Sequence, residues 1–448
     1  MNHQQKDDNN SLRNWQEKLL PPEVIMEKAR SNGFIKRMRK LDPTYLLYVL
    51  IFGISSHCKP TLEEIHRDYQ DLGGKSAGTK EIRYQSFHNR FDSNMALFLR
   101  AMLDHYINIT FADSPARLKG PVGILKDILI QDSSIVRLSK KLAEEFPPAR
   151  SRSEAAGLKI HAVYSAVSHS LKSFEITDEK THDYKKIRID GNIKDVLFLF
   201  DLGYYSHYVL ANINERGGFF VSRVKNSAKP KLKEIVSESK IFDSIFEKGM
   251  NLGDFLEKVP KSDEIELICT FTGRDKEKTM GQKKINADFR VVCFWDENDK
   301  IWHNYVTNLP GDAYKKDEIY QLYRYRWIIE LLFKEMKSDY DLGKFLLARE
   351  PLALIHVYSM LIRLVLSRNL YKKMVASLDE DEKPRYGPLL WSKVFAEKAH
   401  EFLSIIDQSI FGKESVGERW KKLEDSLRRL ACSRHKGYDR ISLKYVGF

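Results

Sequence analysis

YRYRWIIELLFKEMKSDYDL, Tyr323 to Leu342, is the stretch on which the reading of this chain turns. Wound as one helix at about 100° per residue, it places Tyr323, Arg326, Glu330 and Lys337 within an arc of about 60°, and Lys334 widens the stripe to about 80°. Trp327, Ile328, Ile329, Leu331, Leu332, Phe333 and Met336 fill most of the remaining circumference. A helix that is apolar around most of its surface expects burial. A carboxylate on such a helix needs a reason, because an unpaired buried charge is costly. Glu330 either pairs with Arg326 or Lys334 at i,i±4 as a polar seam, or serves as a metal-binding or catalytic group beside cations that hold phosphates. The second reading needs partner carboxylates elsewhere.

Two aspartates qualify. Val196 to Phe200 is a five-residue apolar run closed by Asp201 and, after Leu202, Gly203. A run without alternation reads as a central strand buried on both faces, and the carboxyl end of such a strand is where α/β folds place ligand groups. Helix capping is the competing role for Asp201. Asp132 lies in the apolar segment KDILIQDSSIVRL (126–138). In a two-residue period it shares a face with Ile128 and Ile130, an uncommon place for an acid that is neither paired nor metal-bound. Its alternative is a strand ending at Gln131 and an Asp-Ser-Ser turn.

Together the three carboxylates supply the hard oxygen ligands that a pair of Mg²⁺ ions takes, an arrangement that activates a nucleophile and stabilises a leaving oxygen in phosphoryl transfer. Zinc does not fit, since His161 and His182 have no Cys or His companions at ligand spacing. His161 alternates with apolar neighbours and reads as structural or substrate-facing.

The bulk properties agree with a polyanionic partner. The 448 residues suffice for two or three domains, and 42% hydrophobic and 11% aromatic content marks a folded chain. The net charge of +12 favours such a partner without choosing among DNA, RNA and membrane. The longest apolar run, Tyr45 to Ile54, is half a membrane span, and the N-terminus lacks a signal-peptide layout. Cys58, Cys269, Cys293 and Cys432 form no CxxC pair, consistent with a reducing cytoplasm.

Along the chain, residues 1–112 read as helical. Thr61-Leu62-Glu63-Glu64 has a capping-box pattern, and GGKSAG (73–78) makes a turn before a basic amphipathic helix from about Thr79 that contains Arg83, Gln85, His88 and Arg90. Helix, turn and basic helix form either a DNA-reading unit or part of a plain helical bundle. Strand patterns begin near Gly123 and recur to about residue 310, after which helix returns. Arg363, in the centre of the apolar segment 352–370, argues against a membrane span.

Asp132-Ser133-Ser134, Asp201-Leu202-Gly203-Tyr204 and Tyr323-x2-Arg326-x3-Glu330-x6-Lys337 resemble the three acidic motifs of bacterial insertion-sequence DDE transposases, in the branch with the Y-R-E-K signature. GLKIHAVY, FFVSRVKNS and YVTNLP are similar to the family's supporting segments, and the resemblance covers roughly residues 120–370. It implies an α/β fold with a ribonuclease-H-like core split by a β-rich insertion, plus helical N-terminal and C-terminal regions. The division expected is 1–112 for DNA binding, 113–218 for the first part of the core, 219–312 for the insertion, 313–370 for the rest of the core, and a basic helical region at 371–448.

The resemblance implies Asp132, Asp201 and Glu330 as catalytic ligands of two Mg²⁺ ions, with Mn²⁺ as a substitute. Tyr323, Arg326 and Lys337 would hold DNA phosphates, with Lys334, Arg223 and Lys225 as further phosphate candidates. Trp327 would be packing, as would Trp302, whose alternative is stacking on an unpaired base. Partners would be double-stranded DNA with terminal inverted repeats, target DNA and a second protomer, in a bacterial cytoplasm with no membrane. A ribonuclease-H-like nuclease without strand transfer is the enzymatic alternative. A domesticated, non-catalytic DNA-binding protein is the other.

Overall fold

The computed structural model describes residues 12–37, 40–53, 61–73, 81–112, 117–118, 120–149, 155–237, 239–261, 264–274, 284–338, 349–411, 416–433 and 446–447. At its centre is a nine-stranded sheet. In chain order the strands are β1 (Asp127–Leu138), β2 (Ala156–Ser165), β3 (Ser170–Asp178), β4 (Val196–Phe200), β5 (Phe219–Arg223), β6 (Lys231–Ile235), β7 (Ile265–Arg274), β8 (Lys284–Asp296) and β9 (Ile301–Thr307). Their order across the sheet is β3-β2-β1-β4-β5-β9-β8-β7-β6.

The first five explain the site. β1, β2 and β3 pair antiparallel, while β4 lies parallel to both β1 and β5. All five residues of β4 are buried, as an uninterrupted apolar run predicts for a central strand. Leu197 and Leu199 enter one hydrophobic core, and Phe198 and Phe200 enter the other. The two-residue period thus lets one short strand divide the interior. The result is a mixed α/β fold with a central sheet flanked by helices, the arrangement of a ribonuclease-H-like core with helical extensions.

The strand-rich segment after residue 219 does not form a separate sheet. Phe219–Arg223 is parallel to β4 and continues the core, and β9 then pairs antiparallel with it at Thr307↔Val221 and Tyr305↔Arg223. The remaining strands extend the same edge.

The helical regions at the two ends of the chain share a core. Trp15, Phe52, Phe395, Phe402 and Trp420 form a connected set of ring contacts, with Phe52 and Phe402 stacked at 5.7 Å. The Thr61 capping box is present, with Glu64 N–H donating to Thr61 Oγ1 at 3.2 Å and Thr61 N–H to Glu64 Oε2 at 2.7 Å. The basic helix expected from Thr79 shrinks to Tyr84–His88. The Ile82 carbonyl accepts from His66 Nε2 and Gln70 Nε2, which ties the approach to that helix in an extended form. Residues 74–80, including most of the expected turn, lie outside the described residues, as does Cys58.

Three of the described helices follow the last core strand and carry the third acid and its support: α1 (Lys316–Arg324), α2 (Trp327–Ser338) and α3 (Glu350–Ala376). By length and composition α3 could cross a bilayer, but 78% of its most apolar window is buried inside the protein. It is apolar around its circumference because protein surrounds it. Its buried charges carry structure: Arg368 donates to Glu335 of α2 at 2.5 Å, with both side chains almost fully enclosed. Glu335→Ala removes the carboxylate that faces this buried guanidinium and should cost about 3 kcal/mol in urea unfolding. The double change Glu335→Leu/Arg368→Met should recover most of that loss.

Candidate active site

β1 runs through Asp132-Ser133-Ser134 without a turn, so Asp132 is an interior strand residue, flanked in its period by buried Ile128 and Ile130. Parallel pairing of β1 with β4 ends at Gln131↔Phe200. The next residue on each strand is Asp132 or Asp201, so two carboxylates 69 positions apart emerge beside each other at the carboxyl edge of the sheet. Asp201 leads into a short turn, Leu202–Tyr204, but its side chain makes no capping bond.

The segment from Tyr323 is not one helix. α1 ends at Arg324, and α2 starts at Trp327. At the junction Arg326 N–H bonds to Tyr323 O and Ile328 N–H to Tyr325 O, three-residue spacings that tighten the chain. Two expectations change here. Tyr323 belongs to the preceding helix, buried with its ring 4.9 Å from that of Tyr305. Trp327, expected in the core, is 56% exposed, because α2 buries Ile328, Ile329, Leu332, Phe333 and Met336 instead. Residues 339–342 lie outside the described residues.

The break sets Arg326 at the centre of the site. Its guanidinium donates to Glu330 Oε1 at 2.5 Å and to Asp132 Oδ2 at 3.1 Å, and its Nε lies 3.9 Å from Asp201 Oδ1. One cation thus touches all three candidate carboxylates. The polar-seam reading of Glu330 with Arg326 and the convergence of three acids therefore coexist. Lys334 is not the partner of Glu330; it lines the cleft with Lys337 instead. Arg326 also lies 5.7 Å over the Tyr323 ring, whose buried hydroxyl lacks a well-formed hydrogen bond.

Electrostatics match this crowding. Burial, reinforced by Asp201 and Glu330, pushes the Asp132 carboxyl up to about 7, against the Ser133 N–H and Arg326. Burial works against the Arg326 charge, but Tyr323 and the three carboxylates outweigh it and raise its pKa. Burial and nearby Arg137 lower that of Lys337. The cleft has a volume of about 680 Å³ and is lined by the three carboxylates, Ser133, Ser134, Arg326, Phe333, Lys334, Lys337 and Ser338. Such oxygen donors, convergent on a positive group, suit a hard divalent cation.

Other candidates lie elsewhere. Arg223 reaches His303 Nδ1 at 3.2 Å, and Lys225 lies 6.0 Å over the Tyr205 ring; neither lines the cleft. Trp302 is partly buried against Trp295, 5.5 Å between rings. Asp296, Asp299 and His303 hold potential ligand atoms within 4.8 Å of one another and could coordinate a divalent metal. The D-x2-D-x3-H spacing in the sequence could have flagged that group. However, Asp296 Oδ1 already accepts from the Asn298 and Asp299 N–H groups of its own turn.

His161 is structural: Nδ1 meets the Tyr204 hydroxyl and Nε2 the Thr177 hydroxyl, both at 3.0 Å. Burial pushes its pKa from 6.5 down to about 4. Between those values the unfolded chain binds a proton that the folded chain excludes, so stability falls as pH drops through that window. At 1.36 kcal/mol per unit the full loss is about 3 kcal/mol. Urea midpoints should therefore fall more steeply from pH 6.5 to 4 in the wild type than in His161→Gln.

The sequence profile described as "Transposase DDE domain" matches residues 124–366, more than half of the chain and all three carboxylates. The chain is 22% identical over 385 residues to the transposase for insertion sequence element IS231C of Bacillus thuringiensis subsp. berliner, covering 79% of this chain and 78% of that one. It is 22% identical over 448 residues to the transposase for IS231F of Bacillus thuringiensis subsp. israelensis, covering 94% and 91%. With the transposase for IS1151 of Clostridium perfringens it shares 20% identity over 457 residues, covering 94% and 93%. Among solved structures it is similar to a piggyBac transposase synaptic complex with hairpin DNA, at 10% identity and a TM-score of 0.47, covering 96% of this chain and 87% of that one. That likeness is too loose to bear on fold or function.

Proposed function

The chain belongs to the transposase DDE-domain family, and from that premise we propose that it cleaves DNA at the ends of an insertion element and joins the freed 3′-OH to target DNA. The observation that carries the reading is the convergence of Asp132, Asp201 and Glu330 on one guanidinium at the rim of a lysine-flanked cleft. The Tyr323, Arg326, Glu330 and Lys337 spacing supports placement in the Y-R-E-K branch.

Two Mg²⁺ or Mn²⁺ ions held by the three carboxylates would supply an activated nucleophile and a stabilised leaving oxygen. The chain's own groups do the rest. Asp132 must be deprotonated to serve as a ligand, which its burial opposes and a cation bound beside it would favour. Arg326, released from the carboxylates, offers a planar fork to a phosphate. Lys334 and Lys337 lie about one and two turns beyond Glu330 along one face of α2, spaced to neutralise successive phosphates of a bound strand. Tyr323 orients Arg326 from beneath.

In this proposal residues 1–112 recognise the terminal inverted repeats, and 113–218 with 313–370 carry the catalytic residues of a core whose sheet the strands of 219–312 extend. Residues 219–312 flank the DNA, with Arg223 and Lys225 as backbone contacts, and 371–448 meet a second protomer or DNA. The working assembly is a homodimer on two element ends in a bacterial cytoplasm. The test is incubation of a labelled terminal-repeat duplex with a target plasmid in Mg²⁺. Joined products support transposition, whereas cleavage without joining identifies a nuclease. Binding with neither identifies a non-catalytic DNA-binding protein.

A further inference from the structure

Behind the cleft, one acidic side chain touches both the strand of Asp132 and the turn after Asp201. Asp183 opens the short turn Asp183–Lys186 that follows β3. Its Oδ1 accepts from the Ser133 hydroxyl at 3.0 Å, and Ser133 adjoins Asp132 and donates its N–H to the Asp132 carboxylate at 2.7 Å. Its Oδ2 lies against Gly203, two residues beyond Asp201. A Cβ at Gly203 would come within 2.8 Å of that oxygen, although the Gly203 backbone is not in the left-handed region. Any side chain there would have to displace the Asp183 carboxylate.

The carboxylate is itself held. Lys159 donates to Asp183 Oδ1 at 3.1 Å and to the Thr181 carbonyl at 2.7 Å. His161 Nδ1 lies 3.8 Å from the same Oδ1 and 3.0 Å from the hydroxyl of Tyr204, the residue after Gly203. A mostly buried charge with a buried lysine partner is an unusual choice for mere filling. We propose that Asp183 is a positioning residue, a carboxylate strut that sets the separation of the Asp132 strand and the Asp201 turn for metal binding. This rests on the metal-binding reading of those two aspartates. Groups that orient ligands from behind typically control metal affinity by about 10–100-fold.

The test is titration of the full-length protein with Mn²⁺ alone, reading free Mn²⁺ by electron paramagnetic resonance. Asp183→Ala should weaken binding about tenfold or more, at the site that Asp132→Ala removes. Asp183→Asn keeps the volume against Gly203 and an oxygen for Ser133, so it should stay within about threefold of wild type, the strut being geometric. Ser133→Ala releases the strut on the Asp132 side and Gly203→Ala pushes against it on the Asp201 side, so each should weaken Mn²⁺; Ser133→Ala, with little change in melting temperature, carries the test if Asp183→Ala does not fold. A lowered melting temperature with unchanged Mn²⁺ affinity in Asp183→Ala would overturn the positioning role. So would Asp183→Asn as weak as Asp183→Ala, which would make Asp183 an electrostatic or direct ligand. Wild-type affinity in Asp132→Ala overturns the metal reading of the aspartates, and the strut with it.

Discussion

Glu330→Gln should reduce cleavage of terminal-repeat DNA by at least about a thousandfold, ~4 kcal/mol at 1.36 kcal/mol per factor of ten. The change keeps the volume of the side chain and the helix beneath it. α2 is anchored by Ile329, Leu332 and Met336, all buried, and by the Glu335–Arg368 pair, none of which contains the altered atom. What disappears is one negative charge of the three that face Arg326. A neutral amide is a poor ligand for a hard divalent cation. DNA binding should hold or strengthen slightly, because the cleft becomes more positive. Gel-shift affinity in Ca²⁺ and single-turnover cleavage in Mg²⁺ separate the two effects. Asp132→Asn and Asp201→Asn should behave alike, and robust cleavage by Glu330→Gln would remove it from the site.

Arg326→Ala should have two opposite signatures. Without divalent metal it leaves Asp132 and Glu330, largely shielded from water, facing each other with their shared countercharge gone. Stability in EDTA should fall by about 2–3 kcal/mol, toward the cost of breaking a buried pair. Mg²⁺ or Ca²⁺ supplies the missing positive charge, so it should raise the melting temperature more in the variant than in the wild type. DNA cleavage should nonetheless drop about a hundredfold, since the phosphate fork is lost. Arg326→Lys keeps a charge but not a planar fork that reaches three carboxylates, and should be intermediate. Equal metal stabilisation of wild type and Arg326→Ala would show that metal and guanidinium do not share the carboxylates.

The acids were legible because each broke a local rule. Asp132 interrupts an apolar strand, Asp201 closes a run with no alternation, and Glu330 is charged on a greasy helix. Such violations stand out at functional sites because burial makes them costly. Asp183 broke no such rule: it lies in the polar segment THDYKK, where an aspartate is ordinary. Its contacts with Ser133, Lys159 and Gly203 span 20 to 50 residues and exist only once the sheet edge is built. Trp327 was misplaced for a different reason. Its apolar character suggested burial, but at 100° per residue it falls beside Lys334 at the edge of the polar stripe, away from the face that α2 buries with Ile329, Leu332 and Met336.

Local patterning by itself determined which segments are buried, where the central strand lies and which acids are out of place, since hydrophobic period and chain punctuation act over a few residues. Only the tertiary structure decided that the strands after 219 extend the core sheet, that the chain's two helical ends share one core, and that a single arginine sits among the three acids. Those outcomes depend on strand registry and on packing between distant segments. A register such as Gln131↔Phe200 is selected by the whole sheet, and no window of neighbouring residues contains the energy that selects it.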